Sequence, residues 1–130
     1  MDISVTNRQR IDGRNDTIEE TAQGSLYVKN GKTYIIYKTE TENGISSNTI
    51  IADGRTVTVK RSGFHSAVLR FDRTRRTQTV CRMPYGNMMM EIETEKIVNA
   101  LNENGGKLRL VYTTHLQGQI IYNDMSIVVG

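Results

Sequence analysis

Glycine-containing turn pairs punctuate this chain at hairpin intervals: Asp12-Gly13, Asn30-Gly31, Asn43-Gly44, Asp53-Gly54, Ser62-Gly63, Tyr85-Gly86, Gly105-Gly106 and Gln117-Gly118. Asn-Gly and Asp-Gly tolerate the positive φ that a two-residue hairpin demands, and the segments between the pairs mostly alternate apolar and polar side chains. That combination dictates a meander of antiparallel strands. It excludes a parallel α/β sheet with its nucleotide crevice, because the helical crossovers such a sheet needs are missing from the pattern.

Period-two reading assigns faces. Ile3, Val5 and Ile11 share one side of the first segment, with Asn7 and Gln9 intruding on it as polar residues. In the second, Ile18, Ala22, Leu26 and Val28 lie opposite Thr17, Glu19, Thr21 and Tyr27, and the interior Gly24 predicts a bulge or bend. Asn30-Gly31 then leads directly into Thr33–Tyr37. Further strands are expected over 48–53, 56–61, 66–72, 77–83, 87–94, 107–116 and 119–129. Residues 94–103 combine a capping-type Thr94 with helix formers, but a lone short helix without a packing face is marginal, so they read as strand. The total is roughly eight to ten strands. Serial hairpins leave two edges, and closing the sheet removes both, so the expected fold is an all-β, up-and-down antiparallel barrel, with a sandwich as the alternative.

A chain of 130 residues is expected to form one domain. Its hydrophobic share of 37% suits a sheet with one wet face. Cys81 is the only cysteine, so neither an intrachain disulfide nor a cysteine-based zinc site can form, as expected for a reducing compartment. The N-terminal residues lack the basic start and apolar stretch of a secretory signal, and no run approaches the roughly 18 apolar residues that span a bilayer. A cytoplasmic protein without a membrane partner is the expectation.

Chemistry is sparsely signalled. His65 and His115 sit in no metal or nucleophile motif, and Met88-Met89-Met90 reads as strand filler. No cofactor or metal is expected. Arg61 shares a face with Val57 and Val59, and an inward guanidinium needs a carboxylate, carbonyls, water or an anionic ligand, because burying an unpaired charge costs several kcal/mol. Glu19 and Glu20 cannot both point inward, and either could pair with Arg61. Tyr112 falls with Leu108 and Leu110 on an apolar face. Positive charge is concentrated in Arg55, Lys60, Arg61, Arg70, Arg73, Arg75, Arg76 and Arg82, against Asp72 alone between positions 55 and 82. Such a cluster attracts phosphates or acidic partners.

Several short motifs occur in order: Ile18-Glu19, Gly24 and Tyr27, Asn30-Gly31-Lys32 with Tyr34 and Tyr37, Arg61-Ser62-Gly63, Pro84-Tyr85-Gly86, Thr94, Gly106 and Tyr112. Together they resemble the YwiB-like family of small, functionally uncharacterised proteins of Gram-positive bacteria. The resemblance spans nearly the whole chain and implies a calycin-type, lipocalin-like barrel with no known activity. Cys81 departs from the pattern, standing where a tyrosine is expected before the Pro-Tyr-Gly turn. By analogy with calycins, the barrel would hold a small anionic or amphipathic ligand, received by Arg61, Tyr27 and Tyr112; Glu19, the neighbour expected for Arg61, completes the ligand-binding set. The alternative is nucleic acid or an acidic protein bound through Arg55, Lys60, Arg70, Arg73, Arg75 and Arg76. An enzyme in which Glu19, His65 and Cys81 converge is the third reading.

Overall fold

The computed structural model describes residues 1–40 and 42–130 in full. Ten strands follow one another: β1 (Asp2–Ile11), β2 (Arg14–Lys29), β3 (Lys32–Thr41), β4 (Gly44–Asp53), β5 (Thr56–Ser62), β6 (Ala67–Asp72), β7 (Thr77–Met83), β8 (Gly86–Asn102), β9 (Gly105–Leu116) and β10 (Gln119–Val129). They form one sheet in the order β6-β5-β4-β3-β2-β1-β10-β9-β8-β7, so each strand neighbours its sequence neighbours and β1 is zipped to β10 from Ile3↔Val129 to Ile11↔Ile121. The sheet's free edges, β6 and β7, meet through a bridge at Ser66 and Arg82, where each backbone N–H donates to the other's carbonyl at 3.0 and 2.8 Å. The result is a nearly closed antiparallel barrel. No helix long and apolar enough to cross a membrane is found among the described residues.

Turn chemistry explains the register. Asn30 and Gly31 have φ of 53° and 77°, so both central residues are left-handed, and a two-residue turn of this kind sets Lys29 opposite Lys32 and Tyr27 opposite Tyr34. Gly105-Gly106 is a correction: the turn falls at 103–104, and both glycines belong to β9. A Cβ at Gly106 would run into the Ala100 carbonyl oxygen, so these glycines serve close strand packing rather than reversal. Residues 94–103 are strand as read, with β8 continuing to Asn102 past a bulge between Thr94 and Lys96.

Gly24 makes a corner. The stretch of β2 from Arg14 to Gln23 pairs with β1, whereas Gly24 to Lys29 pair with β3, starting at Gly24↔Tyr37. Beyond that point β3 continues against β4 without β2, so the wall divides between Ile18–Thr21 and Lys38–Glu40. A cleft of about 740 Å³ occupies the division, lined also by Arg61 and by Phe64 and His65 of the β5–β6 connection.

One end of the interior is filled by Ile3, Ile35, Val57, Phe71, Ile92, Leu108, Leu110 and Val129, all buried, with Ile50 and Ile127 at its boundary with the chamber. Phe71 meets the Tyr112 ring edge-on at 4.6 Å, closing this half from above. The other half is hollow.

Candidate ligand site in the barrel lumen

Alternation along the strands builds a chamber of about 370 Å³ in the hollow half. Met88 and Met90 of β8 point in with Cys81 and Met83 of β7, Leu69 of β6, Leu116 of β9 and Met125 of β10. Met89, between two inward neighbours, lies on the outer face, where it is exposed. Unbranched thioether side chains conform to irregular contents, so a wall this rich in methionine accepts apolar groups of varied shape.

The chamber's other wall is polar and ordered by long-range pairing. Asn123 Nδ2 donates to the Ile121 carbonyl at 3.0 Å, and its Oδ1 accepts from Gln9 Nε2 at 3.0 Å and from Asn7 Nδ2 at 3.3 Å. The amide N–H groups of Asn7 and Gln9, the polar intruders on the inward face of β1, thus find their acceptor on β10. Asn7 Oδ1 is sealed from solvent and has no hydrogen-bond partner among the described residues. Burial pushes the Tyr112 hydroxyl up to about 12, with the Arg61 charge and the neighbouring Asn7 pulling the other way. That phenol therefore stays neutral at physiological pH.

Arg61 stands at the rim, lining both the chamber and the wall cleft. Its Nε donates to Oδ1 of the fully buried Asn48 at 2.9 Å, and Asn48 Nδ2 in turn donates to Thr39 Oγ1 at 3.3 Å. The register explains the bond, since Asn48 and Arg61 are cross-strand partners on β4 and β5. Glu20 Oε1 is 3.9 Å from the guanidinium, and both side chains are partly exposed. Tyr37, buried beside them, is raised first by burial and then by the Glu20 charge, while Arg61 lowers it through charge and hydrogen bonding. Arg61, Glu20, Tyr37 and Tyr112 form one polar rim on an apolar chamber.

The structure brings Arg61 and Tyr112 of the predicted set together in the chamber, leaves Glu19 with Arg61 only in the wall cleft, and places Tyr27 outside both. Glu20, not Glu19, shares the inward face of β2 with Ile18 and Ala22; Glu19 is exposed on the opposite face. Tyr27 also faces out, stacked on Tyr34 with ring centroids 4.8 Å apart. Tyr37, outside the predicted set, also lines the lumen, and its parity with Ile35 marks it.

Cys81 and His65 do line the chamber, but burial raises the Cys81 pKa, the direction opposite to activating a nucleophile, and Glu19 meets His65 only in the wall cleft, away from Cys81. The basic residues divide as well. Lys60 and Arg70 lie on the outer face of β5 and β6. Arg55 and Arg73 sit in exposed turns, Arg75 pairs with Asp72 at 3.4 Å, and Arg76 binds Glu91 at 2.8 Å and Glu93 at 3.0 Å.

These features define a nearly closed antiparallel β-barrel with a filled apolar half and a polar-rimmed hollow half. The chain belongs to the family described as Domain of unknown function (DUF1934), whose model matches residues 3–127. It is 29% identical over 105 residues to the "Uncharacterized beta-barrel protein YwiB" of Bacillus subtilis strain 168, covering 81% of this chain and 74% of that protein. The crystal structure of the ywiB protein from Bacillus subtilis superposes with a TM-score of 0.88 at 26% identity, over 99% of this chain and 90% of that one. The resemblance read from the turn motifs therefore holds, as does the barrel.

Proposed function

We propose that the chamber binds a small amphipathic molecule with an anionic head, its apolar part against the methionines and its head on Arg61. The observation that carries this reading is an arginine at the rim of an apolar cavity, held by Nε to a buried asparagine. A guanidinium fixed at Nε presents its terminal nitrogens in a set plane, the geometry a carboxylate needs for a charge-assisted pair. The neutral hydroxyls of Tyr37 and Tyr112 supply further donors. Glu20 is the group such a head must displace, and a part-exposed pair at 3.9 Å contributes at most about 1 kcal/mol. The cavity volume, about 370 Å³, falls at the lower end of the roughly 300–1,000 Å³ of ligand pockets, so the ligand is small.

Calorimetric titration with octanoate tests this. Binding to the wild type and a loss of about ten- to a hundredfold in Arg61→Met is expected, from the roughly 1.5–3 kcal/mol of a charged hydrogen bond. Equal affinity for octanoate in the two proteins, or none in the wild type, would refute it.

A further inference from the structure

The outward-facing residues of β2 to β6 make a second surface, which meets the chamber only at its margin, at Arg61 and Ala67. Strand register places Tyr27, Tyr34, Ile51, Thr58 and Arg70 in one row across five strands. The adjacent row is Ser25, Ile36, Thr49, Lys60 and Val68. Tyr27 and Tyr34 stack with an interplanar angle of 6°, and Tyr27 is 42% exposed, so an aromatic pair stands in solvent on a wet sheet face. Two hollows adjoin it and share Lys60. One, about 330 Å³, runs from Tyr34 past Ile51 and Thr58 to Arg70. The other, about 550 Å³, is lined by Lys60, Arg61 and Arg82 together with Ser47, Thr49, Ser62, Ser66 and Thr79.

Charge decides what such a trough fits. No carboxylate lines the larger hollow among the described residues. In the smaller, Asp53 is engaged by Lys32 at 3.9 Å, and Asp72 by Thr74 and Arg75. Lys60, Arg70 and Arg82 form no ion pair with any described carboxylate, so their charge is available to a partner. We infer that this face binds single-stranded nucleic acid, with a base stacked on the Tyr27–Tyr34 pair and phosphates on Lys60, Arg70 and Arg82. An exposed sheet that pairs aromatic platforms with cations is how single strands are held, because every base has a π-face and every link a phosphate. From β3 to β6 is three strand spacings, roughly 14 Å, room for a few nucleotides. Duplexes hide their bases from such a platform, which sets single strands apart as the partner.

The test is fluorescence anisotropy with a labelled oligouridylate of about twelve nucleotides, the same sequence as a duplex, and uridine monophosphate as competitor. Wild-type protein is expected to bind the single strand at low salt, more tightly than the duplex, with the monophosphate competing poorly. Tyr27→Ala/Tyr34→Ala should weaken binding about tenfold or more, whereas Tyr27→Phe/Tyr34→Phe, which keeps the rings, should stay within about twofold. Should the alanine pair lose its fold by circular dichroism, Tyr27→Leu/Tyr34→Leu removes the rings while keeping apolar cover. Lys60→Ala/Arg70→Ala should lower the slope of log affinity against log salt by about 1.4, from roughly 0.7 per phosphate contact. Absence of binding at low salt, equal affinity for duplex and single strand, or ring-free variants that bind as the wild type does would each overturn the proposal.

Discussion

Gly24→Ala isolates the corner on which the wall division depends. A Cβ at this position would collide with Ile3 Cδ1 and the Ile36 carbonyl oxygen and come within 2.9 Å of Tyr37 Cβ. The Ile3 methyl can rotate away at about 1 kcal/mol for leaving its rotamer. Ile36 O cannot, because it is main chain in a strand paired on both sides, so β2 and β3 must part where their ladder begins. Overpacking of that kind costs about 3 kcal/mol at its upper end, and the stiffer unfolded chain of alanine returns less than about 1 kcal/mol. The net loss is about 3 kcal/mol. With roughly 2.1 cal/mol/K of unfolding entropy per residue, Tm should fall by about 10 °C. Differential scanning calorimetry and urea unfolding of the wild type, Gly24→Ala and Gly13→Ala measure it. Gly13 has a φ of 77° but nothing within 4 Å of a Cβ, so alanine there carries only the left-handed penalty of roughly 1–2 kcal/mol. A Gly24→Ala protein within about 2 °C of wild type, or less damaged than Gly13→Ala, would refute the steric reasoning.

Two further outcomes follow from the lumen. Tyr112 titrates at about 12 when folded, against about 10 when unfolded, so its contribution is intact below pH 10 and drains away as pH rises through 12. Those two units correspond to about 3 kcal/mol, and Tyr112→Phe should flatten that part of the alkaline stability curve; a curve of unchanged steepness would count against burial of the phenol. Cys81, raised by desolvation in the chamber wall, should alkylate with iodoacetamide more slowly than glutathione at neutral pH and more slowly still with octanoate present. A fast reaction that octanoate leaves unchanged would contradict its placement.

Much of the barrel is written locally. Asn30-Gly31 alone fixes the Tyr27↔Tyr34 pair, because a two-residue turn leaves no freedom in register. Alternation also marks Glu20 and Tyr37 as inward through their parity with Ala22 and Ile35, whereas Glu19 and Tyr27 have the opposite parity to Ala22. Other features are not local. Asn7 and Gln9 look like defects in an apolar face until β10, more than a hundred residues on, supplies Asn123. The wall division depends on which partner each half of β2 takes, and a bend at Gly24 announces only that a change occurs. Gly105-Gly106 reads as a turn by composition because the carbonyl oxygens of Val129 and Ala100 that exclude a side chain there come from distant or separately placed backbone.

The six methionines allow the lumen to be observed directly. With the methyl groups labelled with carbon-13, Met83, Met88, Met90 and Met125 report on the chamber, while Met89 on the outer face and Met1 at the N-terminus serve as internal references. On adding octanoate, the four chamber resonances should shift together and saturate at one concentration, with Met89 and Met1 unmoved. Shifts confined to Met89 and Met1, or no saturable shift in the chamber set, would contradict a ligand site in the hollow half of the barrel.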